Sequence, residues 1–217
     1  MKVTLYGYWR SLAAYRVRVA LGLKGIPFDE VSVNLASGEQ FGEAYSTLNP
    51  QHVVPLLKHN DYEIVQSLAI LEYIEDIWPT PQLIPSAPID KAEVKALALI
   101  TIADTHPLIV PRVRNFLNKE LGLDESGQSA WAQHWFAKGN EAIESTLIKL
   151  GKHKTYSFGD EPTIADIALA SHVIGAKLFN VDMSNAPILN GIFENCMKIP
   201  SFSNAHPLKQ AGAPKPG

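Results

Sequence analysis

The sequence is poor in cysteine, in long apolar runs and in net charge, and each shortage excludes a class of protein. Cys196 is the single cysteine among 217 residues, which excludes an internal disulfide and fits a reducing, cytoplasmic location. A formal charge of −3 gives no sign of a nucleic-acid partner. The longest apolar run, from Ala96 to Ala103, is shorter than the ~18–20 residues that a membrane span needs, so no membrane partner is expected.

Several functional motifs are also missing. The sequence has no Walker pattern, no dinucleotide fingerprint and no Gly-x-Ser-x-Gly elbow. The closest pair of histidines, His52 and His59, has neither a second pair nor a cysteine nearby, so no metal site is expected. Nucleotide-dependent and metal-dependent chemistry therefore has no support in the sequence.

The first 78 residues alternate between strand and helix patterns. Hydrophobic period and turn residues predict strands and helices in the order β-α-β-α-β-β-α: strands at 3–6, 28–33, 55–58 and 62–65, and helices from Ser11, over 41–48 and from Leu68. The first strand, helix and strand form a βαβ unit, for which a parallel pair with a right-handed crossover is expected.

A cluster of prolines separates this part from the rest of the chain. Pro79, Pro81, Pro85 and Pro88 lie within ten residues and mark a linker. Beyond them every strong periodicity is helical, as in the face formed by Val94, Leu97, Ala98 and Thr101. The sequence thus predicts a first domain at 1–80, a linker at 81–88 and an all-helical domain at 89–217.

Ser11 lies where the first strand gives way to the first helix. Serine is a favoured N-cap, and a purely structural cap explains it as well as a site does. A helix N-terminus also favours a bound anion. Arg10 directly precedes Ser11, and the first acidic residue of the chain is Asp29. The simplest reading of Arg18 and Lys24 is that they are solvated charges on the helix face. No cysteine is close to Ser11, so any thiol chemistry here needs a thiol supplied by a ligand.

Three other motifs admit both a structural and a functional interpretation. The Val54–Pro55 bond is trans by frequency, or cis with the Val54 backbone turned toward a peptide-like ligand. Ser67 is a candidate N-cap of the next helix, or, with Gln66, part of a carboxylate-binding helix start. His106, which precedes Pro107 on an apolar helix, is by itself more typical of a core histidine.

Two features are expected to be structural. Thr163 and Asp166 have the spacing of a capping box, with Asp in place of the usual Glu or Gln. Cys196 is expected to be a small core side chain.

Taken together, these motifs resemble the cytosolic glutathione transferases, and the zeta class among them. The resemblance covers nearly the whole chain and rests on Tyr-Trp-Arg-Ser at 8–11, Arg-Val-Arg-Val-Ala-Leu at 16–21, Leu-Asn-Pro at 48–50, Val-Pro at 54–55 and Gln-Ser-Leu-Ala-Ile at 66–70. It implies an α+β, thioredoxin-like N-terminal domain followed by an all-α domain. It also implies a homodimer, glutathione as cofactor and a small electrophilic substrate.

The resemblance also assigns roles to individual residues. Ser11 matches the serine that stabilises the glutathione thiolate, with Arg10 beside it. The backbone of Val54 matches the partner of the cysteinyl unit, and Gln66 and Ser67 match the residues that bind the γ-glutamyl end. Gln40 matches a glutamine near the glycyl end, and His106 matches a residue that lines the site.

The resemblance implies that the thiolate attacks an electrophile. It favours cis–trans isomerisation of maleylacetoacetate to fumarylacetoacetate, and general conjugation of glutathione is expected as a second activity. Three positions depart from the class: Leu12 and Ala13 replace a serine and a cysteine, and Leu178 replaces an arginine. Because these departures remove polar groups, a binding protein of the same fold that catalyses nothing is the alternative.

Overall fold

A computed structural model describes residues 2–214 and shows two compact units. The first unit runs to Leu83 and also takes in the chain from Ile199 onward, and the second is Ile84–Lys198. The change of unit lies between Leu83 and Ile84, within the proline-rich segment 81–88. The second unit, however, ends before the C-terminal segment that the sequence assigned to the helical domain.

The first unit is built on a four-stranded mixed sheet. The strand order is β2-β1-β3-β4, with β1 and β2 parallel and the other pairs antiparallel. The strands are β1 Val3–Gly7, β2 Asp29–Ser32, β3 Leu56–His59 and β4 Tyr62–Val65. In the centre of the sheet Leu5 pairs with Leu57, and both side chains are fully buried.

The helices of this unit follow the predicted β-α-β-α-β-β-α order. They are α1 Leu12–Leu23, α2 Glu43–Ser46 and α3 Ser67–Ile77, with α10 Pro200–Asn204 near the C-terminus and short 3₁₀ turns at Glu39–Phe41 and Pro207–Lys209. The helix predicted over 41–48 is shorter and divided, because Gly42 is extended at φ −67° and ψ 148° between the 3₁₀ turn and α2.

The C-terminal segment belongs to the first unit because α10 packs on α1. A Cβ added at Gly22 would lie 3.1 Å from the Cβ of Ser201, so glycine at this position permits the close approach of the two helices. Phe202 on α10 is fully buried. These contacts join sequence positions that no local pattern connects.

The second unit is helical, as the sequence predicts. Its helices are α4 Pro88–Leu99, α5 His106–Ile109, α6 Pro111–Leu121, α7 Glu125–Leu150, α8 Ile164–Leu178 and α9 Pro187–Lys198, with a π-helical turn at Ile100–Thr105 between α4 and α5. The predicted face of α4 and the π turn is buried, with Val94, Leu97 and Ala98 at 0% exposure and Thr101 at 1%.

The predicted capping box begins α8. The Oγ1 of Thr163 accepts from the N–H of Ala165 at 3.2 Å, and a carboxylate oxygen of Asp166 accepts from the N–H of Thr163 at 2.7 Å. The other oxygen of Asp166 accepts from the N–H of Ser157 at 2.7 Å, so the carboxylate also holds the preceding loop. Asp166 is fully buried, as is the predicted core thiol of Cys196.

The helical run Pro88–Leu121 is long and apolar enough to cross a membrane by length and composition alone. Its most apolar window has a mean hydropathy of 1.3, and 33% of that window is buried. Core helices of soluble proteins pass the same test. Averaged hydropathy thus identifies a segment that the count of consecutive apolar residues does not.

Candidate functional site

Ser11 is the N-cap of α1, so the structural interpretation of this serine is correct. Its Oγ accepts from the N–H of Ala14 at 3.1 Å, and its own N–H donates to the carbonyl of Tyr8 at 2.9 Å. A capping hydroxyl uses an oxygen lone pair, and its proton remains available to donate. The cap and the predicted thiolate contact are therefore compatible, because one hydroxyl can accept from Ala14 and donate elsewhere.

Two positive charges of α1 and its C-terminal end are buried, although the sequence favours solvated positions for them. Arg18 is 4% exposed and Lys24 is 8% exposed, so neither is the solvated helix-face charge that the local pattern favoured. Arg18 donates to Glu30 at 2.6 Å and also to the carbonyl of Tyr8 at 3.1 Å. Tyr8 thus accepts from both Arg18 and Ser11, and the ion pair fixes the turn that presents Ser11.

Lys24 is buried for a similar reason. Its Nζ lies 2.6 Å from a carboxylate oxygen of Glu75 on α3 and also contacts the carbonyl of Pro81. Burial of a charge is tolerated when it is paired and hydrogen-bonded. Arg10, in contrast, is exposed at the turn before Ser11, and no acidic residue lies in the first turn of α1.

Val54 lies in an apolar cluster together with Val33, Tyr45 and Leu56. It is 8% exposed, and the Val54–Pro55 bond is cis, which is the alternative that the functional interpretation required. The sequence could not decide between the two isomers, because frequency alone favours trans.

Gln66 and Ser67 form the junction between β4 and α3. Ser67 is the first helical residue and Gln66 occupies the N-cap position, so the prediction of Ser67 as N-cap is wrong by one residue. Gln66 has φ +71° and ψ 117°, a conformation that costs roughly 1–3 kcal/mol in a residue with a side chain and is concentrated at functional sites. Its exposed amide donates to Gln51 Oε1 at 2.8 Å.

Beneath this junction lies a buried guanidinium. Arg16 on α1 donates from Nε to the Oγ of Ser67 at 3.1 Å, and Ser67 itself is 4% exposed. Complete burial lowers the pKa of Arg16 to about 9. The positive charge of Arg16 and the N-terminus of α3 together favour an anion at Ser67.

Gln40 lies in the 3₁₀ turn, about 9% exposed, and its buried Oε1 has no hydrogen-bond partner among residues 2–214. His52 contacts the same turn, with Nδ1 3.0 Å from the carbonyl of Gln40 and its ring 5.4 Å from that of Phe41. The sequence pattern presents His52 only as a possible metal ligand and does not indicate this contact with the turn of Gln40.

Three predicted site residues of the first unit have chemistry that suits a peptide-like anion. They offer a donor hydroxyl at a helix start, an unpartnered buried amide oxygen and a second helix start backed by a cation: Ser11, Gln40 and Ser67 with Arg16. Glutathione carries a thiol, two peptide groups and two carboxylates, so this donor and acceptor set fits it. No group of three potential metal ligands occurs in the described part of the chain.

His106 belongs to the second unit, where it directly follows the π-helical turn and begins α5. The turn is closed by Thr105, whose Oγ1 donates to the carbonyl of Ile100 at 3.1 Å. π-helical turns occur frequently at functional sites. His106 is half-buried, so it is not the fully buried core histidine of the structural interpretation.

Leu178, where the family resemblance implies an arginine in the zeta class, is the last residue of α8. A guanidinium reaches the neighbouring residue from α6: Arg114 lies 5.4 Å from the ring centroid of Phe179. Arg114 also donates from Nε to the carbonyl of Ile109 at 3.2 Å, at the end of the helix that carries His106. Arg114 therefore lies beside the segment that contains Leu178.

Comparison with known proteins agrees with these features. Residues 1–76 match the N-terminal domain of glutathione S-transferases. The chain is 38% identical over 206 residues to maleylpyruvate isomerase of a Ralstonia species, covering 95% of this chain and 97% of that one.

Solved structures extend the match to the fold. A holo maleylpyruvate isomerase, described as a bacterial zeta-class glutathione S-transferase, has a TM-score of 0.95 at 37% identity, covering 97% of this chain and all of that one. Maleylacetoacetate isomerase of Methylobacterium extorquens AM1, solved with malonate and glutathione, also has a TM-score of 0.95 at 38% identity, covering 98% and 100%. The chain therefore belongs to the zeta class of the glutathione transferase family.

Proposed function

We propose that this protein is a glutathione-dependent isomerase that converts maleylacetoacetate or a closely related cis-unsaturated dicarboxylate to its trans isomer. The observation that carries the proposal is Ser11, whose hydroxyl caps α1 and keeps its proton for a bound sulfur. Support comes from relatives that are named as maleylpyruvate and maleylacetoacetate isomerases over nearly their full lengths.

Each site residue has a defined task in this proposal. Ser11 donates a hydrogen bond to the sulfur, and the N-terminus of α1 and the nearby Arg10 favour its negative charge. The backbone of Val54 holds the cysteinyl unit, Gln66 and Ser67 hold the γ-glutamyl carboxylate, and Gln40 lies toward the glycyl end.

The chemistry follows from a stabilised thiolate. Bound glutathione supplies a thiolate that adds to the substrate's double bond and leaves again after rotation, so glutathione is not consumed. A free thiol has a pKa near ~8.5, and each unit by which Ser11 and the helix lower it represents about 1.4 kcal/mol in favour of the thiolate. We assign His106 to the binding of the electrophilic substrate, as the family resemblance implies.

The assignment extends to the assembly and location of the protein. We propose a homodimer in the cytoplasm, as the family resemblance and the single buried thiol of Cys196 suggest. General conjugation of glutathione to other electrophiles is expected alongside isomerisation. The alternative, a binding protein that catalyses nothing, is not favoured. Relatives that match this chain over almost their entire length are named as enzymes.

Three variants of Ser11 test the proposal, read out by the pKa of enzyme-bound glutathione in an ultraviolet titration. Ser11→Thr keeps both the cap and the donor, and we expect a thiol pKa close to that of the wild type. Ser11→Asp keeps a good N-cap but has no proton to donate at neutral pH, and we expect the thiol pKa to rise. Ser11→Ala loses both. Equal thiol pKa values in all three variants would remove Ser11 from the mechanism.

A further inference from the structure

Two side chains hold the backbone carbonyl that precedes Val54. Tyr45 donates its hydroxyl to the carbonyl oxygen of Val53 at 2.6 Å, and Asn49 donates from Nδ2 to the same oxygen at 2.7 Å. A carbonyl oxygen has two lone pairs, so these donors satisfy it completely. Because Tyr45 is 5% exposed and Asn49 is 0% exposed, the carbonyl of Val53 points toward the interior of the unit.

Both donors are themselves held in place. The ring of Tyr45, on α2, packs in the apolar cluster with Val33 and Leu56. Desolvation by burial raises the pKa of the Tyr45 hydroxyl, which keeps it a donor at neutral pH. Asn49 accepts from the N–H of Gln51 at 3.0 Å through Oδ1, which fixes the amide so that Nδ2 faces Val53. The pair of donors is therefore a rigid clamp.

The clamp sets the direction of the next N–H group. The Val53–Val54 peptide is trans, and in a trans peptide the C=O and N–H bonds point in opposite directions. Since the carbonyl of Val53 points toward Tyr45 and Asn49, the N–H of Val54 points away from them. Among residues 2–214 the N–H of Val54 donates no hydrogen bond. A buried residue of the candidate site thus directs an unused donor away from the core.

We propose that Tyr45 and Asn49 are positioning residues for the tripeptide, which aim the N–H of Val54 at the cysteinyl carbonyl of bound glutathione. The inference rests on the proposed function, because it takes glutathione as the ligand. Neither side chain contacts the ligand in this account. Their loss therefore weakens binding and leaves the acidity of the thiol, which depends on Ser11, unchanged.

Tyr45→Phe removes one donor of the clamp and keeps the ring in the core. We expect the Kd for glutathione, measured by calorimetry, to rise by about 3- to 10-fold, as for the loss of one hydrogen bond. The pKa of the bound thiol should not change. Tyr62→Phe is the matched control, because it also removes a tyrosine hydroxyl but at a position 69% exposed on β4, and its Kd should equal that of the wild type.

The wild-type protein offers a second readout that does not depend on the folding of a variant. In a ¹⁵N-labelled protein the amide proton of Val54 should shift downfield and become protected from exchange when glutathione is added. S-methylglutathione should give the same change, because it keeps the cysteinyl carbonyl and lacks the free thiol.

The outcomes separate the two proposals. If Tyr45→Phe lowers the melting temperature but binds glutathione as tightly as the wild type, the inference is overturned and the proposed function stands. An unchanged Val54 amide in a wild-type protein saturated with glutathione would also overturn it. A wild-type protein that binds no glutathione at all overturns the proposed function first, and the inference with it.

Discussion

Arg16 and Ser67 are joined by a hydrogen bond of 3.1 Å from Nε to Oγ, across 51 positions of sequence. The contact links α1, whose first turn is capped by Ser11, to the start of α3, where Ser67 lies. Both helix starts belong to the candidate site, so this buried pair connects its two ends. Because Arg16 supplies a proton to the Ser67 oxygen, the hydroxyl proton of Ser67 is directed to another acceptor, such as a carboxylate.

Ser67→Ala tests this link. The substitution removes an acceptor from a buried guanidinium, which costs about 1–3 kcal/mol in the free energy of unfolding. It also removes the donor that we propose for the ligand carboxylate. We expect denaturant unfolding to show that loss and the affinity for glutathione to fall by about 10-fold or more. Ser46→Ala is the control, since the hydroxyl of Ser46 donates a long, exposed 3.3 Å bond to the carbonyl of Glu43. Equal effects of the two substitutions would contradict the role of Ser67.

Asp166→Asn tests the capping box and the loop that it holds. The carboxylate of Asp166 accepts from three groups, the N–H of Ser157 and both the N–H and the hydroxyl of Thr163. An amide replaces one of these acceptor oxygens by a donor, and we expect a loss of about 2–4 kcal/mol in the free energy of unfolding. Asp124→Asn is the matched control, because Asp124 caps α7 while exposed to solvent, and its loss should be smaller. A carboxamide at 166 that leaves the unfolding midpoint unchanged would refute this account.

His172 makes the stability of the protein depend on pH. It is fully buried, it donates from Nε2 to Asn140 Oδ1 at 2.9 Å, and burial lowers its pKa from 6.5 to about 4. The unfolded chain therefore binds a proton between pH 6.5 and pH 4 that the folded protein excludes. The contribution of His172 to the free energy of unfolding is therefore complete above pH 6.5. About 3 kcal/mol of it is lost as the pH falls toward 4.

The measurement is the free energy of unfolding as a function of pH for the wild type and His172→Gln. We expect the variant to be less stable at pH 7 and to lose less stability on acidification. His134→Gln, at an exposed position, should keep the wild-type pH dependence. Parallel curves for wild type and His172→Gln would show that this histidine is not buried in its neutral form.

Arg114 provides a test of substrate recognition. Its guanidinium lies over Phe179, next to Leu178, where the family resemblance implies an arginine. If Arg114 serves a substrate carboxylate, Arg114→Met should raise the KM for the dicarboxylate by about 10- to 100-fold, as for a lost charged hydrogen bond, and leave the Kd for glutathione unchanged.

Two further variants complete this test. Lys119→Met removes an exposed cation from the same helix and should leave the KM as it is. Leu178→Arg restores the class residue and should lower the KM in the Arg114→Met background. A KM unaffected by Arg114→Met would exclude this arginine from substrate recognition.

The local features of this fold were predictable from the sequence. The order of strands and helices, the cap at Ser11 and the capping box at Thr163 follow from hydrophobic period and from side chains that act on their own turn of chain. Such features depend on residues within a few positions of one another. The same holds for the buried face of α4, where Val94 and Leu97 are one turn apart.

The remaining features depend on partners that are distant in sequence. Arg18 and Lys24 look like surface charges until Glu30 and Glu75 are brought to them by the fold. The sequence favours Ser67 as the N-cap, but Gln66 takes that position with a left-handed φ. Glutamine as a residue type gives no indication of that backbone conformation. Likewise, Ser201 packs near Gly22, so the C-terminal segment belongs to the first unit. No local sequence pattern indicates this contact.

The central claim is that glutathione acts as a catalyst that is returned after each turnover. The most direct measurement is the isomerisation of maleylacetoacetate by the wild-type protein with glutathione present at a small fraction of the substrate concentration. We predict many turnovers per glutathione, a fumarylacetoacetate product and a glutathione concentration that does not decline. Absence of isomerisation, or loss of one glutathione for each substrate consumed, would contradict the account.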